Sequence, residues 1–225
     1  MPADIRFVAK GKKGEIWLYD QVGDGWFGGM SAKSFIAELA KLGKVDTINL
    51  HINSPGGSVF DGVAIYNQLK AHPARIEVDV DGVAASIASV IAMAGDEIRM
   101  ADGSMIMIHD PYTLAAGGAE EMRKTADLLD QIGASIATIY AKRTGLKESQ
   151  IAAMMNEETW MGASAAIDAG FADRVTEELR VAASSNFDYS RFKHAPDKIT
   201  SGTASAGHSV AQVKLASIGK RLPRS

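Results

Sequence analysis

The sequence predicts an α/β fold, because short strand-like stretches alternate with helical stretches along most of the chain. Val45–Asn53 shows the period of two that is typical of a strand, with Ile48, Leu50 and Ile52 on one side. Ala119–Lys142 instead repeats apolar residues every three to four positions, as an amphipathic helix does. Strands separated by helices usually pair in parallel through right-handed crossovers, so we expect a largely parallel sheet.

In the first half of the chain, glycine and proline separate the predicted elements. Gly23–Gly29 is a glycine-rich turn, and Ser54–Gly57 ends a strand abruptly. Ser31 is a typical N-cap residue, and Gly43 ends the helix that Ser31 begins. The predicted elements are a strand at Glu15–Tyr19, a helix at Ser31–Leu42, a strand at Val45–Asn53, a helix at Phe60–Ala71 and a strand at Arg75–Asp81.

The second half begins with an uncharged, alanine-rich run, Gly82–Ala94, which we interpret as a buried helix with Ser86 in its first turn. Acidic residues begin the later long helix and basic residues end it, as the helix dipole favours. The further elements are strands at Glu97–Met100 and Ser104–Ile108, helices at Ala119–Lys142 and Glu148–Asn156, an extended segment at Glu157–Met161, a helix at Ala163–Ala169 and a strand at Phe171–Val175.

Composition limits the possible functions. The chain has 225 residues, a net charge of −3 and no cysteine, which indicates no nucleic-acid or anionic-membrane partner and excludes thiol chemistry. The start of the chain has no apolar segment of the secretory type, so a cytosolic location is expected. We expect one domain over residues 1–180 and a flexible, low-complexity tail over 181–225, with weak helical periodicity at Val210–Leu222.

Several residues together suggest nucleophilic catalysis. Ser86 follows a strand at the start of a helix, where unpaired N–H groups favour developing negative charge. His109 ends a strand, where parallel sheets present their active groups, and could serve as the base. The N–H groups of Gly57 and Ile87 could form an oxyanion hole. Each feature alone also fits a purely structural role, namely a small packing residue, a strand-end histidine and a tight turn.

Three motifs, in this order, resemble those of the caseinolytic protease (ClpP) family of serine peptidases. Asn53–Val59 is similar to its Asn-Ser-Pro-Gly-Gly turn, Gly82–Ser86 to its Gly-x-Ala-Ala-Ser nucleophile motif, and Met107–Pro111 to its Met-Ile-His-x-Pro motif. A looser match begins at Trp160. The resemblance implies a fold of stacked β-β-α units of the ClpP/crotonase type with a long projecting helix. It also implies catalysis by Ser86 and His109 with no metal or cofactor.

At the third position of the triad this sequence departs from the family pattern. The family usually has Asp two residues before the aromatic residue that Trp160 matches, and here that position is Glu158. Glu157 is the rival, but on an extended segment it would point to the opposite face. Ser89, one turn after Ser86, is the rival nucleophile. An extended peptide could bind by strand addition at Gly57, Ser58 and Val59.

The short leader, the glycine-rich segment and the tail are similar to the phage and prophage branch of the family. That likeness implies a head-maturation protease that trims scaffold or capsid proteins in the host cytoplasm or the assembling prohead. The family also implies a homo-oligomer of stacked rings and, in its housekeeping enzymes, an AAA+ unfoldase partner. The alternatives are a housekeeping-type ClpP subunit, a crotonase-like enzyme acting on an acyl thioester, and a non-catalytic assembly component.

Overall fold

A computed structural model of the chain describes residues 5–24, 29–176 and 187–196. It confirms the α/β class. The strands are β1 (Ile5–Lys10), β2 (Lys13–Leu18), β3 (Thr47–Ser54), β4 (Arg75–Ala85), β5 (Glu97–Ala101), β6 (Met105–Ile108), β7 (Thr159–Gly162) and β8 (Arg174–Thr176). The helices are α1 (Ala32–Lys41), α2 (Val59–Ala71), α3 (Ile87–Ala92), α4 (Ala119–Thr144), α5 (Glu148–Asn156) and α6 (Ala163–Asp168).

One largely parallel sheet holds the strands in the order β1-β2-β3-β4-β5-β8. Only β1 is antiparallel along this path, because it forms a hairpin with β2. The long strand β4 has two partners on one edge: Glu77–Val80 pairs with β5, and Val83–Ala85 pairs with β6. The end of β4 and the end of β6 therefore lie side by side, and β7 adds to β6 in the antiparallel direction.

The two faces of the sheet differ in chemistry. Alternate residues of β3, such as Ile48 and Leu50, are fully buried in the hydrophobic core. The opposite face carries polar and charged groups that pair with one another, as Arg99 does with Asp79 through two bonds of 2.6 and 3.0 Å. Buried His51 lies on this face, with Nδ1 3.1 Å from Asp81. The pairing of these groups offsets the cost of burying them on a sheet face.

Helix α4 has 26 residues, two more than predicted, and is about 39 Å long at 1.5 Å per residue. Its first half, up to residue 131, is exposed or at most half-buried. Its second half packs into the core through Ile136, Ala137 and Tyr140. Helix α4 therefore has one anchored end and one end that leaves much of its apolar side uncovered.

One predicted element begins at the wrong residue, and one strand was missed. The buried helix begins at Ile87 instead of Gly82, and strand β1 was not predicted. Residues 82–85 remain in β4 because they pair with β3 on one side and with β6 on the other. Ser86 is therefore the residue between strand and helix, and it does not lie in the first helical turn.

The contacts divide the chain into two units, Met1–Ser185 and Asn186–Ser225. In the second unit, the rings of Tyr189 and Phe192 lie 6.3 Å apart. Most of the predicted tail, including the periodic segment Val210–Leu222, lies outside the described residues, as do positions 25–28 of the glycine-rich turn. In the described part of the chain, no helix is long and apolar enough to cross a membrane.

Candidate active site

Ser86 occupies a sharp turn between β4 and α3. Its backbone has φ 56° and ψ −130°, a conformation that side-chain-bearing residues rarely adopt. Its N–H donates to the Met107 carbonyl oxygen at 3.0 Å, which ties the turn to β6. The turn leaves Ser86 half-buried at the edge of the sheet where β4 and β6 end.

His109 follows β6 directly and contacts Ser86. The pairing of Ala85 with Met107 brings the two strand ends together, and His109 Nε2 lies 2.8 Å from Ser86 Oγ. The Tyr112 ring lies beside the imidazole at 5.8 Å between centroids. A hydroxyl at hydrogen-bond distance from an imidazole nitrogen is the arrangement that an activated serine nucleophile requires.

Glu158 lies in the turn between α5 and β7. The β6–β7 pairing ends at Ile108–Thr159, so Glu158 comes directly before the first residue of β7 and His109 directly after the last residue of β6. Glu158 is only 8% exposed, and its Oε1 accepts a 3.1 Å bond from the indole N–H of Trp160. The structure thus brings Ser86 and His109 into contact and places Glu158 at the adjoining end of the β6–β7 pair.

Glu157 differs from Glu158 for a reason other than the one predicted. The segment is not extended at this point: Glu157 is the C-cap of α5, and both glutamates lie in the turn before β7. Glu157 is exposed, whereas Glu158 is buried. The positive φ of 52° at Glu158 turns the chain, so the two side chains are separated by a turn and not by strand alternation.

Unusual backbone conformations coincide with these residues. Among the described residues, Ser86 and Glu158 are the two that have positive φ without being glycine. Such conformations cost ~1–3 kcal/mol each and persist only where the surroundings enforce them. Strain at both Ser86 and Glu158, within one site, supports a functional role for the arrangement.

The expected oxyanion donors lie beside Ser86. Ile87 is the first residue of α3, so its N–H has no acceptor within that helix. Gly56 packs against the nucleophile turn so closely that a Cβ on it would lie 2.7 Å from Ser86 Cβ. Val22 N–H donates to the Gly56 carbonyl at 2.9 Å, and in a trans peptide the next N–H, that of Gly57, points the opposite way. Gly57 is exposed and free to meet a ligand.

The expected peptide-binding strand differs in part from the structure. Gly57 forms an isolated parallel bridge with Val22, but Ser58 is the N-cap of α2, and Val59 is the first residue of that helix. The Ser58 side chain accepts a 3.4 Å bond from the N–H of Asp61, which commits the chain to the helix from Val59 onward. The extended backbone at this point is therefore limited to the residues before Val59.

Two polar residues that sequence reasoning did not single out hold the glycine turn. Ser54 Oγ donates to the Asp20 carbonyl at 2.7 Å and accepts from Gly56 N–H at 3.2 Å. Asn53 Oδ1 accepts from Val83 N–H at 3.2 Å, which ties the turn to β4. The signal was present in the Asn-Ser-Pro-Gly-Gly motif, whose first two residues are buried although both are polar.

Ser89, the rival nucleophile, is wholly buried. Its Oγ lies 2.6 Å from the Ser86 carbonyl oxygen and 2.8 Å from the Tyr140 hydroxyl. A buried, fully bonded hydroxyl cannot approach a peptide substrate. In the described residues, no group of three or more His, Asp or Glu side chains is arranged to hold a metal ion.

Comparison with known proteins identifies relatives for the same region. The family model described as Clp protease matches residues 11–179. The chain is 31% identical over 173 residues to ATP-dependent Clp protease proteolytic subunit 1 of Leifsonia xyli subsp. xyli, covering 75% of this chain and 85% of the relative. It is 32% identical over 165 residues to the proteolytic subunit of Bacteroides fragilis, covering 71% and 77%. With proteolytic subunit 3 of Rhodococcus jostii the identity is 36% over 154 residues, covering 66% and 76%.

Proposed function

Since the chain belongs to the Clp protease family and is a serine endopeptidase of the ClpP type, we propose that Ser86, His109 and Glu158 form its catalytic triad. His109 Nε2 takes the Ser86 proton as Oγ attacks the peptide carbonyl. Glu158 holds the imidazole through Nδ1 and stabilises its charged form. The oxyanion receives hydrogen bonds from the N–H groups of Gly57 and Ile87.

The cycle then proceeds through an acyl-enzyme. His109 gives its proton to the leaving amine, the C–N bond breaks, and the acyl group remains on Ser86 Oγ. Water enters, His109 takes one of its protons, and the resulting hydroxide displaces Ser86, which recovers its proton. No step requires a metal or a cofactor.

The observation that carries this proposal is the 2.8 Å contact between His109 Nε2 and Ser86 Oγ at a strained strand-to-helix turn. Ser86→Ala tests it, because the substitution removes only the hydroxyl. Casein cleavage should fall by ~10⁴–10⁶, while the melting temperature changes little. Cleavage at the wild-type rate would contradict the assignment. A wild-type enzyme that binds a coenzyme A ester and is not labelled by a fluorophosphonate would instead favour a crotonase-like thioester enzyme.

We propose an unfoldase-assisted role as the first biological context. The relatives described above are named as proteolytic subunits of an ATP-dependent protease. An extended chain can reach the turn at Gly57, whereas a folded protein must first be opened. The enzyme alone should cleave casein but not a folded fluorescent protein, and an added Clp ATPase with ATP should enable the second reaction. Cleavage of the folded protein without ATP would contradict this role.

Head maturation is the second context, proposed from the glycine-rich Gly23–Gly29 segment and the Ser/Ala/Lys-rich composition after about Arg180. The relatives' names do not indicate this role, since they are bacterial proteolytic subunits. Site-specific trimming of a capsid or scaffold protein without ATP, with the rest of the substrate left intact, would favour it. The location would then be the host cytoplasm or the assembling prohead.

We also propose that the enzyme acts as a homo-oligomer of stacked rings. A groove of about 300 Å³ between α2 and α4 is lined mostly by apolar residues of both helices, together with Gln131 and Ser135. At its rim, Phe60 is 69% exposed and Leu128 is 50% exposed. Large apolar side chains left open beside a projecting helix favour burial against another surface, and a second copy of the chain supplies one. Light scattering that shows a fully active monomer at micromolar concentration would contradict this assembly.

A further inference from the structure

A buried pair of hydroxyl groups lies directly behind the nucleophile turn. Ser89 and Tyr140 are 0% and 1% exposed, and their oxygens are 2.8 Å apart. Ser89 Oγ also lies 2.6 Å from the Ser86 carbonyl oxygen and 2.9 Å from the Met107 carbonyl oxygen. The Ser89 hydroxyl therefore joins α4, the nucleophile turn and β6 at one point.

The chemistry of these groups fixes the direction of the hydrogen bonds. Each hydroxyl carries one proton, and a carbonyl can only accept. Burial raises the pKa of Tyr140, so its phenol keeps its proton throughout the range in which the protein works. Among the described residues, Ser89 is the one polar side chain that the Tyr140 hydroxyl bonds. Tyr140 thus donates to Ser89, and Ser89 donates to the Ser86 carbonyl, the nearer of its two acceptors.

The Ser86 carbonyl belongs to the same peptide unit as the Ile87 N–H. In a planar trans peptide the two groups point in opposite directions, so an anchor on the carbonyl fixes the direction of the N–H. The carbonyl has two such anchors, Ser89 Oγ and Ser89 N–H, the latter at 3.0 Å. The Met107 carbonyl, 2.9 Å from Ser89 Oγ, accepts from Ser86 N–H, which ties the preceding peptide of the same turn to β6.

We propose that Tyr140 and Ser89 are positioning residues, which aim the Ile87 N–H at the oxyanion and couple the position of α4 to the catalytic turn. This inference rests on the proposed function, since it takes the Ile87 N–H as an oxyanion donor. Neither residue touches the substrate. Tyr140 is held in place by its contact with the Phe171 ring, at 5.5 Å between centroids, so the phenol oxygen is presented at a fixed position.

Two conservative variants test the proposal. Tyr140→Phe keeps the ring and its contact with Phe171, and Ser89→Ala removes one oxygen. Thr138→Val is the matched control, because it also removes a hydroxyl from α4. The Thr138 hydroxyl bonds only Ala134 and Glu148. The measurements are kcat and KM for a fluorogenic peptide, the inhibition constant of a peptide boronate, which forms a tetrahedral adduct on serine, and the melting temperature.

For each variant we expect kcat to fall about tenfold, less than the ~10²–10³ that follows loss of a whole oxyanion donor. KM should stay unchanged, because the donor acts on the tetrahedral state and not on the bound substrate. The boronate should bind more weakly by the same factor as kcat falls. The kcat of the double variant should be no lower than that of the less active single variant, because both substitutions break the same chain of hydrogen bonds.

Wild-type kcat and boronate affinity in both variants would overturn the inference. The inference would also be overturned if the loss of activity were fully explained by a smaller fraction of folded protein, with the boronate affinity per folded site unchanged. If the wild-type enzyme neither cleaves the peptide nor binds the boronate, the proposed function fails instead, and the variants need not be measured to establish this.

Discussion

Replacing Glu158 with glutamine tests how the imidazole is oriented. The side chain is 8% exposed, and its Oε1 accepts from the indole N–H of Trp160 at 3.1 Å. In the glutamine variant the indole N–H would hold the amide oxygen, so the NH₂ group would take the place of Oε2. An NH₂ group donates, and it would therefore favour the His109 tautomer whose proton is on Nε2. That tautomer cannot accept the Ser86 proton.

The expected cost follows from the loss of the correct tautomer. The rate should fall by ~10²–10⁴, or about 3–5 kcal/mol in the activation free energy. The assay is kcat/KM for a fluorogenic peptide, with circular dichroism to show that the fold is retained. Glu157→Gln is the matched control, since the neighbouring carboxylate is exposed, and it should leave the rate unchanged. A silent Glu158→Gln, or a damaging Glu157→Gln, would refute the reasoning.

Three further predictions concern the turn, the assembly and the pH dependence. Gly57→Ala should abolish peptide cleavage and lower the melting temperature, because its φ is +149° and a Cβ would lie 2.0 Å from the Val22 carbonyl oxygen; an active, stable variant would contradict the proposed role of the turn. Leu128→Glu should dissociate the oligomer and reduce activity while the protomer stays folded, since the side chain is 50% exposed; light scattering that shows wild-type mass would exclude this face as an interface. For Asp173 burial raises the pKa, but hydrogen bonds from Arg143 and a backbone N–H outweigh it, so the folded-state pKa lies below the ordinary value. The stability from this lowered pKa is therefore present above the ordinary pKa of ~3.9 and is lost as the pH falls through the folded pKa. Asp173→Asn should lower the free energy of unfolding, measured in urea at neutral pH, by ~1 kcal/mol. The value is small because the side chains of Arg143 and Asp173 are both partly exposed to solvent. The difference from the wild type should shrink in acid; an equal difference at both pH values would show that the ion pair is not its cause.

Sequence periodicity alone would suggest Ile132 and Ile136 on the apolar side of α4 as the sites at which a charge should dissociate the assembly. Ile136 is 5% exposed and belongs to the core of the protomer, so a charge there would unfold the chain before it tested any interface. Periodicity marks the apolar side of a helix, but it does not show which part of that side the protomer itself covers. Leu128 is the better probe because it lies in the uncovered half of α4.

The sequence predicted the α/β class and most elements of the core, because their patterns depend on local burial. It also indicated Ser86 and His109, which the structure brings into contact through the ends of β4 and β6, and Glu158, which directly precedes β7. It did not predict the positive φ of Ser86 or of Glu158. The Ser86 conformation occurs where its N–H bonds the Met107 carbonyl of β6, a contact between residues distant in sequence that local propensity does not contain.

Strand β1 shows a different limit of sequence reasoning. Ile5–Lys10 pairs with β2 through a tight turn at Gly11 and Lys12, where Gly11 has φ +60°. Three lysines around the turn, Lys10, Lys12 and Lys13, hide the hairpin pattern, because they break the alternation that marks a strand. The strand forms because β2 offers an unpaired edge, and an edge pairing of this kind depends on the partner and not on the segment alone.

The most direct measurement of the central claim is covalent labelling of the serine nucleophile. The full chain is treated with a fluorophosphonate, digested, and mapped by mass spectrometry, with His109→Ala in parallel. We predict one phosphonylated site, on Ser86, and labelling slowed by several orders of magnitude in the histidine variant. Labelling on Ser89 or another serine, or labelling of Ser86 at the same rate without His109, would contradict the account.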